Sequence, residues 1–387
     1  MPEGSRNESL GIGHFKNMKP KVILVDIIPP NTTPEESLAR LNELENLLVT
    51  YGGFVIIRKI QKRQLPDYKT YIGKGKVQEI LDEAIREKAD FIIVNNLLKP
   101  QQIYNLEQIF EKHKMQVWDR VDLILKIFAK HATTKEARLQ IELAGLRHLG
   151  PRIFKMGLEL MRQAGGGAGG GGARRGKGET NIEVMKRHIA KREQKICSDL
   201  KKIEKNHESQ RNKRLDQGFR TVAIVGYTNA GKSCLLKALT GKNVKIEDEL
   251  FATLDSRIGK LWLPDTQKNC LVSDTIGFIR DLPPDLVHAF HSTLAETISA
   301  DLLLHIIDVN DFEMKTKIKT VHNVLKEIGC DKKKMIYVFN KIDLMDEDLL
   351  EQMKNEKSKM KNYHPVFVSA EEKMNLEELK TAIGKKL

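Results

Sequence analysis

Residues 226–233 read GYTNAGKS, and their spacing is that of a loop that can bind the phosphates of a nucleotide. In the pattern GxxxxGK[ST], glycines let backbone N–H groups wrap around phosphate oxygens at the positive end of a helix dipole. We expect Lys232 to reach the β- and γ-phosphates and the Ser233 hydroxyl to ligate Mg²⁺. The residues that this loop is expected to contribute are Gly226, Tyr227, Thr228, Asn229, Ala230, Gly231, Lys232 and Ser233.

The segments on either side of this loop favour binding over the alternative, a glycine-rich loop that binds nothing. TVAIV (residues 221–225) is typical of a buried strand, and KSCLLKALT is typical of a helix that ends at Gly241. A strand before the loop and a helix after it are the setting in which this motif holds phosphates. The sequence therefore predicts a nucleotide site here.

Two later segments carry chemistry that distinguishes guanine from adenine. NKID (residues 340–343) follows the predicted strand MIYVF, and the carboxylate of Asp343 can accept hydrogen bonds from guanine N1–H and the 2-amino group. Adenine offers neither in that arrangement, and a carboxylate left unpaired is costly. Ser369 and Ala370 follow the predicted strand HPVFV, where they can contact the carbonyl edge of guanine. The predicted ligands are therefore GTP and GDP, held at this end by Asn340, Lys341, Ile342, Asp343, Val368, Ser369 and Ala370.

A further segment, DTIG (residues 274–277), closes the predicted strand CLVSD and has the composition of a γ-phosphate sensor. We expect Asp274 to hold Mg²⁺ through water and the amide of Gly277 to contact the γ-phosphate. All these segments lie at carboxyl ends of predicted strands, where α/β sheets bind ligands. The nucleotide-binding residues expected from this segment are Asp274, Thr275, Ile276 and Gly277.

A threonine between Ser233 and Asp274 is expected to ligate Mg²⁺ in the triphosphate state. Thr253 is the best candidate because FATLD (residues 251–255) shows no strong element of its own. Its rivals are Thr240, at the end of the helix after the phosphate loop, and Thr266, in a polar turn. The segment adds Phe251, Ala252, Thr253, Leu254 and Asp255 to the nucleotide site. The predicted metal ligands are Ser233 and Thr253, and the predicted catalytic residues are Lys232, Thr253 and Gly277.

The residue that would position the attacking water is not evident from the sequence. Many GTPases place a glutamine directly after the DxxG motif, but Phe278 stands there, and a phenyl ring cannot orient water by hydrogen bonding. We therefore expect slow intrinsic hydrolysis that another group or a bound partner accelerates. Asn229 could help hold a monovalent cation near the phosphates, although an ordinary loop asparagine is an equally good interpretation.

Upstream of this domain, residues 21–120 alternate strand and helix patterns. VILVDII, GGFVIIRKI, FIIVN and QVWD are typical of strands, and helical spacing separates them. Such alternation predicts a small α/β domain with a largely parallel sheet. Its one glycine-containing turn, YIGKGK, lacks the form of a phosphate loop, so no second nucleotide site is assigned.

Residues 121–218 predict a helical hairpin. One long helix is expected over residues 121–152, a glycine-rich linker over about residues 164–179, and a second helix from Thr180 to about Arg214. Residues 174–220 contain 15 Lys and Arg against 7 Asp and Glu. A solvated helix face is the plain interpretation, but the position beside a glycine-rich loop favours contact with nucleic acid, through Arg174, Arg175 and Lys177.

The composition excludes several classes of protein. The chain has 387 residues and a formal net charge of +13, which favours an anionic partner. No apolar run approaches the roughly 18–20 residues of a membrane span, and residues 1–20 predict a flexible tail without a signal peptide. The 4 cysteines lie far apart, without metal-binding spacing, which suits a reducing cytoplasm. We expect a monomer.

Together these residues resemble the HflX family of GTPases. The resemblance rests on GYTNAGKS, FATLD, DTIGFIRDLP and NKID, and it continues through YIGKGKVQEI, the stretch from WDRVDLILKIF to LGPRI, and the linker ending GKGET. Cys234 departs from the threonine usual in the family, which weakens a contact to the α-phosphate.

The resemblance implies an α/β fold: an N-terminal α/β domain with a long helical hairpin, followed by a P-loop GTPase domain over residues 219–387. That domain would have a mixed, mostly parallel sheet with helices on both faces. It also implies binding to the large ribosomal subunit and the splitting or rescue of stalled ribosomes, with the glycine-rich loop directed towards ribosomal RNA. The alternatives are an assembly factor for the large subunit and a GTP switch with a protein partner only.

Overall fold

The computed structural model describes residues 19–165, 173–241, 251, 257–275, 277–280, 291–346, 348, 350–351 and 365–387. The predicted tail, residues 1–20, lies almost wholly outside this set. The chain divides into two compact units, Met1–Ile127 with Pro151–Gly178 and Phe128–Gly150 with Glu179–Leu387. None of the helices described is both long enough and apolar enough to cross a lipid bilayer.

The first unit is built on a parallel sheet with the strand order β2-β1-β3-β4. Its strands are β1 (Lys21–Ile28), β2 (Phe54–Lys62), β3 (Phe91–Val94) and β4 (Gln116–Asp119). The helices between them are α1 (Pro34–Tyr51), α2 (Lys74–Glu87) and α3 (Pro100–Phe110). This confirms the parallel sheet that the alternating pattern predicts.

Local signals place the ends of these helices. Thr33 caps α1, since its Oγ1 accepts the backbone N–H of Glu36 at 3.2 Å, and a proline follows it in the first turn. At the other end, Gly52 adopts φ 108° and donates its N–H to the carbonyl of Leu48. β1 and β3 are buried along nearly their whole length, as expected for strands covered on both faces.

The single helix expected over residues 121–152 is two helices, α4 (Arg120–His131) and α5 (Lys135–Gly165). The chain breaks at residues 132–134 because Thr134 begins a new helix: its Oγ1 accepts the N–H of Ala137 at 3.1 Å. The next helix, α6 (Ala173–Asp216), starts seven residues earlier than Thr180, so the predicted linker is helical from residue 173 onward. Residues 166–172 of the linker lie outside the described part.

Within the second unit, α5 and α6 run antiparallel, as predicted for a hairpin. Arg147 pairs with Glu193 at 2.8 Å, and Arg192 reaches Glu142 with two bonds of 2.5 and 2.6 Å. Ile196, one of the isoleucines seven residues apart in α6, is fully buried. The basic face of α6 is exposed, as at Lys186 and Lys191.

The second unit contains a sheet with the strand order β10-β9-β8-β5-β7-β6. Its strands are β5 (Arg220–Gly226), β6 (Arg257–Leu263), β7 (Lys268–Asp274), β8 (Leu302–Asp308), β9 (Met335–Asn340) and β10 (Val366–Phe367). Only β6, paired with β7, is antiparallel among these strands. The helices described are α7 (Lys232–Thr240), α8 (His291–Ser299), α9 (Met314–Glu327) and α10 (Leu376–Lys386). The mixed, mostly parallel sheet is the one predicted.

Candidate functional site

The phosphate loop lies where β5 ends and α7 begins, at the carboxyl edge of the sheet. Gly226 comes so close to the next strand that a Cβ there would lie 2.5 Å from the carbonyl oxygen of Ile306. Gly231 adopts φ 92°, and a Cβ on it would lie 2.2 Å from Nδ2 of Asn340. Asn229 is exposed and adopts φ 61°. The two glycines of the motif are therefore required by close packing as well as by loop conformation.

Lys232 is buried at the centre of this loop. Its ammonium donates to the carbonyl of Tyr227 at 2.7 Å, which folds the side chain back over the loop. Burial lowers the pKa of Lys232 to about 8, and the charge of Asp274 opposes part of that shift. A phosphate group would supply the anion that this ammonium needs.

Ser233 and Asp274 bring a hydroxyl and a carboxylate together beside the loop. The Ser233 hydroxyl donates to Oδ2 of Asp274 at 2.6 Å, and Asp274 is fully buried at the end of β7. Thr275 anchors this corner by donating to the carbonyl of Ile224 at 2.7 Å. Oxygen donors of this kind suit a hard cation such as Mg²⁺. The residues present therefore fit the predicted metal.

The other predicted metal ligand, Thr253, lies outside the described residues, as do Ala252, Leu254, Asp255 and Ile276. Its rival Thr240 donates its hydroxyl to the carbonyl of Leu236 at 2.7 Å within α7. Thr266 lies in the β6–β7 turn, next to the Leu263–Lys268 pair, whereas Asp274 pairs with Arg257 at the opposite end of the hairpin. This geometry disfavours both rivals, and the role of Thr253 stays a prediction.

Phe251 is the first residue of the same segment, and its side chain packs against another aromatic ring. Its ring packs edge-on against Phe128, with centroids 4.6 Å apart, and it is 4% exposed. The backbone of Phe251 adopts φ 61°, which is strained for a residue with a bulky side chain. The aromatic contact therefore anchors the beginning of this loop.

The segment after Asp274 is joined to the phosphate loop through its backbone. Phe278 donates its N–H to the carbonyl of Gly226 at 3.0 Å, and its own carbonyl accepts the N–H of Thr228 at 2.9 Å. Glycine at position 277 allows a close approach to the phosphate loop, since a Cβ there would lie 2.8 Å from Cγ2 of Thr228 and 2.9 Å from Nζ of Lys232. The ring of Phe278 is 1% exposed. It is therefore packed into the core and directs no polar group towards a water.

The contacts through which Tyr227 connects this site were not predicted from the sequence. Its hydroxyl accepts the backbone N–H of Arg280 at 2.8 Å, and the ammonium of Lys317 lies 5.0 Å from its ring centroid. The Arg280 side chain in turn pairs with Glu313 at 2.6 Å, and Asp311 pairs with Lys317. The tyrosine in the second position of the motif was visible in the sequence. The residues that Tyr227 contacts lie far from it in the sequence, so these contacts could not be read from the motif.

The guanine end of the site is organised by Asn340. Its Nδ2 donates to the carbonyl of Ala230 at 2.9 Å, and its Oδ1 accepts the N–H of Ala370 at 3.0 Å. One buried side chain therefore holds the phosphate loop against the loop that follows β10. Lys341 adopts φ 67° and pairs with Asp308 at 2.7 Å.

Asp343, the residue expected to select guanine, lies in a short turn of 3₁₀ helix after the buried Ile342, and its side chain is exposed. Ser369 is fully buried, as is Val368, and its hydroxyl accepts the N–H of Glu372 at 3.0 Å. The Ser369 side chain therefore shapes its loop. The structure thus gathers the phosphate loop, the DTIG corner, NKID and Ala370 at one edge of the sheet.

Comparisons with known proteins cover most of the chain. Family models described as "GTP-binding GTPase N-terminal", "GTP-binding GTPase Middle Region" and "50S ribosome-binding GTPase" match residues 38–129, 131–214 and 221–341. A protein of Caldanaerobacter subterraneus subsp. tengcongensis named GTPase HflX is 44% identical over 95% of this chain and 81% of its own length. GTPase HflX of Escherichia coli is 39% identical over 81% of this chain and 72% of its own length.

The structural comparison agrees with the sequence comparison. A crystal structure of a protein called SsGBP in complex with GDP is 26% identical and has a TM-score of 0.51. The match covers 95% of this chain and 98% of that one.

The pKa of Lys232 predicts how nucleotide affinity depends on pH. Phosphate binds the charged ammonium, and the free site loses that charge as the pH rises through about 8. We expect GDP affinity to be constant below that pH and to fall by up to about tenfold for each further unit. Titration of a fluorescent GDP analogue measures this, with guanosine as the control because it has no phosphate. An equal fall for both ligands would contradict the role of Lys232.

Replacing Tyr227 with phenylalanine removes the acceptor for the Arg280 amide and keeps the ring. Loss of one hydrogen bond of about 1 kcal/mol should lower kcat for GTP hydrolysis about fivefold, with GDP affinity changed less than about twofold. Single-turnover hydrolysis and equilibrium binding separate the two effects. Tyr337→Phe, which removes a hydroxyl bonded to His322, is the matched control. Unchanged hydrolysis in Tyr227→Phe would show that the bond does not position this segment.

Replacing Asp343 with asparagine should change the base preference. The variant keeps one acceptor oxygen and places an NH₂ donor against a guanine N–H group where the second oxygen was, which should weaken GTP binding roughly 100-fold. An asparagine N–H can instead donate to the 2-carbonyl of xanthine, so affinity for xanthosine triphosphate should rise. Competition binding with the two triphosphates measures both changes. Retained GTP preference would mean that another residue selects the base.

Proposed function

Because the chain belongs to the HflX family of GTPases, we propose that its GTP-bound form associates with the large ribosomal subunit and splits or rescues stalled ribosomes. The chemical reaction is hydrolysis of GTP to GDP and phosphate. The ribosomal role is supported chiefly by the match of residues 221–341 to the model described as a 50S ribosome-binding GTPase. Action as a monomer in the cytoplasm is part of the same proposal.

Mg²⁺ belongs to the proposed mechanism, held by Ser233 and Thr253 directly and by Asp274 through water. When bound, the ion would neutralise charge that develops on the β- and γ-phosphates. Lys232 would contribute a second positive charge from the loop, and its burial makes that charge strong because little water screens it. The amide of Gly277 would contact the γ-phosphate.

Slow intrinsic hydrolysis follows from the environment of Phe278. Its ring is buried and carries no polar group, so the chain supplies no side chain there to orient water. The segment that bears it is instead fixed to the phosphate loop by two backbone hydrogen bonds. Stimulation by the ribosome would require a partner that moves this segment or supplies the missing group. Asn229, which is exposed, retains its proposed role near a monovalent cation.

The basic hairpin supports RNA as the partner. α6 carries most of the excess of basic residues between positions 174 and 220, and its lysines from Lys186 onward are exposed. Contacts to RNA phosphates need charge without base-specific hydrogen bonding, which is what exposed lysines provide. Arg174, Arg175 and Lys177, in the first turn of α6, are the proposed contacts nearest the glycine-rich segment.

Sedimentation of ribosomes with the protein and a non-hydrolysable GTP analogue tests the proposal. We expect co-sedimentation with the large subunit and conversion of whole ribosomes into subunits. Lys232→Ala should abolish both by removing nucleotide binding. Joint replacement of Arg174, Arg175 and Lys177 with alanine should weaken ribosome binding with GTP affinity intact, and equal replacement of Lys88, Lys112 and Lys114 controls for charge.

The other outcomes are informative. Co-migration with precursor particles without splitting would identify an assembly factor, and no association at all would leave a GTP switch with a protein partner. Ribosome binding that survives both sets of changes would contradict the division between nucleotide loop and basic hairpin.

A further inference from the structure

In the first unit, the loop between β2 and α2 exposes two large side chains. Leu65 is 75% exposed and Tyr68 is 85% exposed, whereas Ile72 in the same loop is fully buried. Exposed aromatic residues are a common feature of binding surfaces, because one ring provides a large contact area with few rotatable bonds. We name Leu65, Tyr68 and Lys69, with the flanking Lys62 and Lys74, the Tyr68 surface.

The loop is held in one conformation by its own hydrogen bonds. Asp67 and Tyr71 exchange two backbone bonds of 2.9 Å. The Asp67 carboxylate accepts the N–H groups of Lys69 at 2.9 Å and Thr70 at 3.2 Å. The bond from Lys69 is the largest cause of the lowered pKa of Asp67. Tyr68, at the centre of this turn, is therefore displayed by an ordered backbone.

Two side chains of helix α3 also hold this loop through hydrogen bonds. The buried Gln102 donates from Nε2 to the carbonyl of Asp67 at 3.0 Å, and Asn105 donates from Nδ2 to the carbonyl of Lys69 at 2.7 Å. Because the loop is already ordered, a partner would bind without the entropic cost of fixing it. This rigidity distinguishes Tyr68 from an aromatic residue on a mobile tail.

The segment that carries Tyr68 is basic. Residues 62–76 contain five lysines and arginines and one acid, Asp67. That acid is directed into the loop by the bonds to Lys69 and Thr70, whereas Lys62, Lys69 and Lys74 are exposed. The exposed residues of this segment therefore include an aromatic side chain and three lysines.

We propose that the Tyr68 surface binds an unpaired segment of ribosomal RNA, with a base stacked on the Tyr68 ring and phosphates beside Lys69 and Lys74. This inference rests on the proposed ribosomal function and adds a contact outside the basic hairpin. Stacking on an aromatic ring with lysines alongside is how proteins hold single-stranded nucleic acid. A protein partner fits less well, because lysine is depleted at protein–protein interfaces.

Binding of the full chain to isolated large ribosomal subunits, with a non-hydrolysable GTP analogue, tests this contact. Tyr68→Ala should weaken binding about tenfold or more, and Tyr68→Phe should restore it because the phenyl ring still stacks. Leu38→Ala, an exposed apolar residue of α1 in the same unit, is the matched control and should leave binding unchanged. Nucleotide affinity and intrinsic hydrolysis should be unaffected in all three variants.

The salt dependence separates the ring from the charge. Lys69→Ala should reduce the slope of log affinity against log salt by about 0.7–0.9, whereas Tyr68→Ala should lower affinity at every salt concentration without changing the slope. Lys114→Ala, at the amino end of β4, is the charge control. Photo-crosslinking should also attach a nucleotide to the peptide that contains Tyr68.

The results that would overturn the proposal differ from those that overturn the ribosomal function. If the unaltered protein binds subunits and Tyr68→Ala binds equally well, the surface makes no RNA contact. The same holds if Tyr68 crosslinks to a ribosomal protein, or if Tyr68→Phe is as defective as Tyr68→Ala. If the unaltered protein binds no subunits, both proposals fail together.

Discussion

The GTPase site depends on keeping a lysine ammonium buried at the carboxyl edge of a sheet. Removing a charge from water is costly, and the shift in the pKa of Lys232 to about 8 expresses that cost. The carbonyl of Tyr227 offsets part of it, and the nearby carboxylate of Asp274 offsets more. The segment after β7 also lies close to this ammonium, since a Cβ at position 277 would be 2.9 Å from Nζ. The Lys232 ammonium is poorly solvated in the free protein, which favours binding of a phosphate at this position.

Two side chains then make separate loops into one site. Asn340 connects the phosphate loop to Ala370, and Tyr227 connects the phosphate loop to Arg280. The first link lies near the residues predicted to bind guanine, and the second lies near the residues predicted to contact the γ-phosphate. Both links meet at the same loop. With the ring of Phe278 in the core, the segment after DTIG contributes its backbone to this arrangement.

The polar side chains at the carboxyl edge of the parallel sheet in the first unit make different contacts. There the polar side chains bind one another: Asp26 accepts from Arg40 and from Asn95, and Arg120 donates to Asn95 and to Glu43. These groups are largely buried and satisfy each other's charges, as buried ions must. Similar strand patterns thus lead to an ion-pair network in one unit and a phosphate loop in the other. Among the described residues of the first unit, the ordered loop around Tyr68 is the surface that we propose for a partner.

The sequence by itself determined the parallel sheet of the first unit, the phosphate loop between strand and helix, and the order of DTIG, NKID and Ser369–Ala370. These are local features, because glycine spacing and strand or helix periodicity act over a few residues. Only the tertiary structure decided which side chains complete the site. Asn340 lies 110 residues from its partner Ala230, and Arg280 lies 53 residues from Tyr227, so their contacts depend on how the strands align. The conformation of the loop that exposes Tyr68 likewise depends on Gln102 and Asn105. These residues of α3 lie far from the loop in sequence and donate hydrogen bonds to its backbone carbonyls.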